Sequence, residues 1–318
     1  MRRFASPPTH RLPMNRKHLN RRQFLQRTAL TASALTMTPS VWSATASARK
    51  TAVDQVPLGN TGIKLSRLGM GTGSNNGNGQ KALGKEGFNG LVRYAYDQGI
   101  TYFDCAKAYA SFDWIGDAIK PLPREKLFIQ SKLMGSPIDV LATIDSHRKT
   151  LNTDCIDSLL IHLMTQPGWT ESDTYKRVMD AFDTAIAKKW IRAKGVSCHS
   201  LPALRTAVAS KWTQVHLVRI NPQGKHMDDE DNKSWDGDAT HKVEPIVEQL
   251  KKMREQGRGV IGMKILGNGE FKSAADREKS IRYAMSRPEL SAIVIGFQAK
   301  AEIDEAIKRM NSALAGAA

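Results

Sequence analysis

Short apolar runs alternating with longer amphipathic segments constrain this chain more than any other feature. Eight runs have strand length: Leu65–Met70, Thr101–Asp104, Leu127–Ser131, Ser158–Ile161, Ala193–Ser197, Val215–Arg219, Gly259–Lys264 and Ala292–Ile295. Helical spacing fills the gaps, as in Phe88–Asp97, Ile138–Leu151, Ser172–Lys189, Val243–Glu255, Asp276–Ser286 and Lys300–Leu314, with shorter helices at Trp114–Ile119 and Pro202–Ala209. Strands joined by crossover helices make a parallel sheet. Eight such units in roughly 250 residues predict an α/β fold, a (β/α)8 barrel of the TIM type. Ahead of it, Val56–Leu65 reads as a β-hairpin with a glycine-containing turn. An open doubly wound sheet would need Gly69-Met70-Gly71-Thr72-Gly73 as its dinucleotide fingerprint, but the polar stretch Ser74–Gly79 follows, not a helix start. No composition break divides residues 47–318, which are predicted to form a single domain.

In such a barrel, catalytic groups stand at the C-terminal ends of the strands. The second strand closes on Asp104, the third runs into Lys132 and the fourth into His162. Tyr109 follows in the loop above the second strand. A phenol ordinarily titrates near pH 10, and a neighbouring ammonium lowers that value. A carboxylate holds the ammonium charged, and an imidazole can orient a substrate oxygen. The set suits proton donation to an oxygen gaining negative charge, as in carbonyl reduction. No side chain supplies hydride, so a nicotinamide is required. A hydrolase would need a second carboxylate across the site, and Asp104 is the only acid at these three strand ends.

Other polar features read as ordinary. His226, Asp228, Asp229 and Asp231 lie in the polar stretch 223–240 without metal-ligand spacing, so no metal is expected. That stretch is read instead as a substrate lid, with Trp235 lining the site. Cys105 and Cys198 flank the site as small lining residues, since no histidine is placed as a base for either.

The formal net charge is +16, and much of it sits at the front. The first 50 residues hold ten Lys/Arg and no Asp or Glu. Asn20-Arg21-Arg22-Gln23-Phe24-Leu25 precedes a moderately apolar stretch from Thr28 to Val41, then the small residues Ala44-Thr45-Ala46. A basic region, an apolar region and an Ala-x-Ala site in that order mark a signal peptide. The paired arginines make it resemble a twin-arginine export signal. Residues 1–46 are therefore expected to be cleaved, leaving +8 on the remainder, with the export machinery as a partner and a periplasmic or otherwise exported location. The remaining Lys and Arg are scattered, without a basic-aromatic stripe, so no nucleic-acid partner is expected. No run of about 18 apolar residues exists, so no stable membrane insertion is expected after cleavage.

From Val56 onward the chain resembles the aldo-keto reductases. Gly99-Ile100-Thr101-Tyr102-Phe103-Asp104-Cys105-Ala106-Lys107-Ala108-Tyr109 is similar to their Asp-x4-Tyr signature, Leu127–Lys132 to the strand bearing their lysine, and Ile156–His162 to the strand bearing their histidine. The resemblance implies Tyr109 as general acid, Lys132 as the group that lowers its pKa, Asp104 as the lysine's partner and His162 as the substrate-orienting residue. It also implies a bound nicotinamide dinucleotide, NADP(H) favoured and NAD(H) accepted, and a small-molecule aldehyde or ketone. The implied cofactor-binding residues are Gly71 and Thr72 after the first strand, Ser197 and Cys198 in Gly195-Val196-Ser197-Cys198-His199, Met263, Lys264, Leu266 and Gly267 in the loop after the seventh strand, and Gln298 and Lys300 after the eighth. Cys198 stands where the family has asparagine, Leu217 where it often has glutamine, Met263 where many members stack a tyrosine, and Glu302 where an arginine reads the 2′-phosphate. Those departures sustain a second reading, a nucleotide-binding redox sensor or regulatory barrel with little turnover.

Overall fold

The structure, a computed structural model, describes residues 50–231 and 240–316. The expected signal peptide and Trp235 lie outside the described residues. Ten strands are present among the described residues: β1 (Gln55–Pro57), β2 (Lys64–Ser66), β3 (Leu68–Gly71), β4 (Tyr102–Asp104), β5 (Phe128–Met134), β6 (Ile156–Met164), β7 (Ile191–Cys198), β8 (Val215–Arg219), β9 (Gly259–Met263) and β10 (Ala292–Gly296). Strands β3 to β10 pair in chain order and close into a parallel barrel through the β10–β3 contact. The helices are α1 (Asn78–Lys81), α2 (Gly84–Asp97), α3 (Phe112–Ile119), α4 (Val140–Thr150), α5 (Asp173–Ala187), α6 (Leu201–Ala209), α7 (Glu244–Glu255), α8 (Ala274–Met285) and α9 (Lys300–Ala315).

Two apolar layers follow from the period of each element. Alternate strand residues such as Met70, Phe103, Ile129, Leu159 and Val196 face outward, against helix residues such as Phe88, Leu91, Val92 and Ala95 of α2, which share one helical face. The opposite strand faces send Tyr102, Phe128, Leu160, Val215 and Ile261 into the barrel. Helix starts are fixed where a side chain caps the first turn: Asp139 accepts from the Ala142 amide, Ser200 from Ala203 and Ser273 from Asp276.

The hairpin β1–β2 plugs the N-terminal end of the barrel with Leu58, Ile63 and Leu65. Its turn approaches the chain before β9 so closely that a Cβ on Gly59 would lie 2.4 Å from the Gly259 nitrogen. The predicted strand Leu65–Met70 is thus two elements. Buried Ser66 divides them: its hydroxyl donates to the Leu68 carbonyl and accepts from the Thr101 and Tyr102 amides, tying hairpin to barrel.

Two strands run further than the sequence suggested. β5 continues two residues past Lys132, and β6 continues past His162 to Met164. The polar residue turns into the barrel mouth while its outward neighbours, Leu133 and Ile161, stay in the outer apolar layer, so the ladder is not interrupted. β6 does bulge: its register with β7 shifts between Ile161 and Met164, and Leu163 takes a left-handed φ of 57°. The polar stretch after β3 also contains the short helix α1, entered through left-handed Asn75, Asn76 and Gly77. No helix among the described residues is long and apolar enough to cross a membrane.

Candidate active site

Strands β4, β5 and β6 are neighbours, and their inward faces put Asp104, Lys132 and His162 side by side at the mouth. The Lys132 ammonium donates to both Asp104 carboxylate oxygens at 2.7 Å, to the Cys105 carbonyl at 3.0 Å and to the Tyr109 Oη at 3.2 Å. Gln130 Nε2 adds a hydrogen bond to Asp104 Oδ1 at 2.8 Å. Lys132 is 1% exposed and Asp104 4%, so the pair is out of water. Because the ammonium donates to the phenol oxygen, the phenol hydrogen is left to point elsewhere.

Burial raises the Tyr109 hydroxyl above the ordinary phenol range; Lys132 pulls it down and Asp104 pushes it up. The lysine therefore acts in the direction expected from sequence but does not outweigh burial, and Tyr109 is a neutral phenol at neutral pH. Burial works against the Lys132 ammonium, yet Asp104 and Tyr109 hold it well above the usual lysine range. The Tyr109 ring meets the His162 ring edge-on at 5.6 Å. Gly73 makes room for that ring: a Cβ there would lie 2.5 Å from Tyr109 Cζ.

His162 is buried at the β6 bulge, and its Nδ1 has no hydrogen-bond partner among the described residues. Burial, then Lys132 and Lys264, push its pKa well below the ordinary range, so the ring is neutral. Burial also pushes the Cys105 thiol up to about 12, which removes it as a nucleophile. No group of three or more His, Cys, Asp or Glu suited to a metal ion occurs among the described residues.

A cleft of about 500 Å³ leads away from Tyr109 and Asp104 between the loops after β3, β9 and β10. Of the residues expected at a cofactor, Gly71, Met263, Lys264, Leu266 and Gln298 line it. Gly267 lies behind the wall, left-handed at φ 54°, where a Cβ would strike the Phe271 ring. Thr72 is buried and bonds through both its amide and its hydroxyl to the Asp104 carbonyl, bracing the carboxylate's backbone. Ser197 faces the barrel interior, its Oγ without a partner among the described residues. Cys198 faces the other way, into the outer apolar layer, because adjacent strand residues point to opposite faces.

Lys300 is also elsewhere: its ammonium sits 5.0 Å from the Tyr94 ring, on the helical side of the molecule. The cations on the outer cleft are Lys272, Arg277 and Arg309, which the sequence did not single out. Arg277 and Arg309 share Glu305 at 2.8 Å each. Glu302 also lines the cleft and accepts from the Gln298 amide at 2.7 Å. One charge per exposed helix face carries no sequence signal; only the glycine turn shortly before Lys272 could have pointed there.

A second buried charge pair stands behind the mouth. Arg219, closing β8, lies 3.1 Å from buried Asp228 and donates to the His199 carbonyl at 3.2 Å. Burial, opposed by Arg219 and assisted by Asp229, pushes the Asp228 carboxyl up to about 7. The sequence shows Asp228 only as part of the polar stretch 223–240, since composition does not show that a loop folds back onto a strand end.

Residues 67–315 match the model of the aldo/keto reductase family. The chain is similar to the NAD/NADP-dependent indole-3-acetaldehyde reductase of Schizosaccharomyces pombe, 27% identical over 42% of this chain and 48% of that protein. It is similar to probable aldo-keto reductase 1 of Glycine max, 31% identical over 69% of this chain and 61% of that protein. The matches thus span about half of the first relative and less than two thirds of the second. The fold is that of a Pseudomonas aeruginosa structure described as a putative aldo-keto reductase, with TM-score 0.65 and 21% identity over 84% of this chain and 98% of that one.

Proposed function

Because the chain belongs to the aldo/keto reductase family, we propose that it reduces an aldehyde or ketone with a nicotinamide dinucleotide, Tyr109 acting as the general acid. The observation that carries this reading is the Lys132 ammonium, anchored on both Asp104 oxygens and donating to the Tyr109 Oη. The Tyr109 hydroxyl donates its proton to the carbonyl oxygen as negative charge develops there. Lys132 then stabilises the phenolate left behind, and its own charge is secured by Asp104. His162, neutral and edge-on to Tyr109, offers an N–H to the same oxygen and sets its direction.

The cleft fits a dinucleotide. Ser197 Oγ is a buried polar atom without a partner among the described residues, suited to a polar group of the ligand. Lys264, Leu266, Asn268 and Gly269 line one edge of the cleft, and the Lys264 ammonium there suits a phosphate. When bound there, the dinucleotide supplies the hydride. Lys272, Arg277 and Arg309 at the outer end favour NADPH, and Glu302 among them moderates the preference so that NADH is also used.

A purified protein offered NADPH or NADH and a panel of aldehydes tests the activity. Tyr109→Phe is expected to lower reduction by about 10²- to 10⁴-fold while nucleotide binding, followed by fluorescence, stays near wild type. Near-normal turnover in that variant rejects the mechanism. The leader with Arg21-Arg22 supports export in the folded state. Arg21→Lys combined with Arg22→Lys is expected to retain the protein in the cytoplasm on cell fractionation, and unchanged export rejects that route.

A further inference from the structure

His162 has no hydrogen bond to Nδ1 among the described residues, and it sits on a strained bulge, so its ring direction must come from packing. Two rings meet it. Tyr109 lies edge-on at 5.6 Å, and His199 lies edge-on at 6.4 Å and 84°. We propose that His199 is the positioning residue for His162, a buried ring that holds the substrate-facing imidazole against Tyr109. The inference rests on the reading above, in which His162 orients the carbonyl oxygen.

The backbone of His199 serves the same end. Its amide donates to the Met164 carbonyl at 2.7 Å, closing the chain just after the bulge that contains His162. Its carbonyl accepts from Arg219 at 3.2 Å, and Arg219 is itself held by buried Asp228. His199 is therefore pinned from both of its neighbouring strands, and the residue is 5% exposed. An edge-to-face pair of this kind fixes a ring plane without needing a hydrogen bond. The positioning role thus asks for a ring at position 199.

Three variants separate the two. His199→Phe keeps the ring, His199→Ala removes it, and His199→Gln keeps polarity without it. Nucleotide binding and the melting temperature identify which variants are folded. Among folded ones, kcat for aldehyde reduction is expected to fall about tenfold or more in His199→Ala and His199→Gln, and to stay near wild type in His199→Phe. The KM for nucleotide should be unchanged in all three. Nitrogen NMR of histidine-labelled protein gives a readout independent of turnover: the His162 ring signals should broaden or shift toward an averaged state in Ala and Gln and remain as in wild type in Phe. Wild-type kcat with unmoved His162 signals in a folded Ala or Gln variant overturns the proposal. So does a Phe variant as impaired as Ala, because the nitrogen would then be what matters. If the wild-type protein reduces no carbonyl compound, the proposed function fails, while the NMR comparison still decides whether His199 positions His162.

Discussion

Replacing Lys132 with methionine keeps the length of the side chain and deletes one buried charge. Asp104, 4% exposed, is then a carboxylate with only Gln130 Nε2 left to satisfy it among its side-chain partners. Breaking one half of a buried pair costs about 3–5 kcal/mol, most of it the penalty of the stranded charge. In a domain of this size about 1 kcal/mol moves Tm by roughly 2–4 °C, so a drop of about 6–20 °C is expected. Adding Asp104→Asn removes the stranded charge and keeps the shape, so the double variant should recover most of that loss. It should not recover activity, because the phenolate formed at Tyr109 would have no cation beside it. The sign with pH follows from the raised Lys132: its contribution is complete below the ordinary lysine value of about 10.4 and disappears only as pH climbs through the higher folded value. The gap between wild type and Lys132→Met should therefore be the same at pH 6 and pH 8. Urea unfolding and calorimetry measure the stability, and single-turnover nucleotide oxidation measures the chemistry. A single variant within about 1 kcal/mol of wild type, or a double variant as unstable as the single, refutes the account of a desolvated pair.

Gly73→Ala places a methyl 2.5 Å from Tyr109 Cζ, against a ring already confined by Lys132 and His162, so turnover should fall about 10²-fold and Tm by about 2–12 °C. Normal kcat in that variant would mean that Tyr109 is not held where the mechanism needs it. Lys264, lowered to about 8 by burial and then by Arg219 and Lys132, is charged below that pH and neutral above it. Nucleotide affinity should accordingly decline as pH rises through about 8, and Lys264→Met should lack the decline; a flat wild-type titration rejects an ionic role for this residue.

Much of the barrel was legible because its signal is periodic. A strand buried on both faces must be continuously apolar, and the helices between strands show one apolar face each, as α2 does with Phe88, Leu91, Val92 and Ala95. Asp104 was placed correctly because it does end its strand. Lys132 and His162 look like strand ends in the sequence because a polar residue after an apolar run resembles a stop, although a strand in a barrel can carry a polar side chain inward and continue. Lys300 was chosen for its position in the chain, but the start of α9 turns it toward Tyr94. Arg277 and Arg309 carry no signal because a helix charge facing a cleft has the same composition as one facing water, and Lys272 sits in the loop before α8. Arg219 was read as the close of a strand; that it would be fully buried depends on Asp228 folding back to meet it, a contact between a strand and a loop that no local pattern encodes.

The closure of β10 on β3 sets an order of events as well as a shape. Asp104, Tyr109, Lys132 and His162 all come from three consecutive units in the first half of the barrel, so a ribosome delivers them together and ahead of the later strands. The cleft is different: one wall is Gly71 to Asn75 and the other runs from Met263 to Arg309, and the two meet only once β10 lies alongside β3. A nascent chain can thus own its whole set of reactive side chains while having nowhere to hold a dinucleotide. Ligand occupancy then certifies that synthesis has finished and the first strand has found the last, and by mass action it penalises every incomplete form. If the proposed export holds, the nucleotide would serve as a seal of completion before it serves as a reagent.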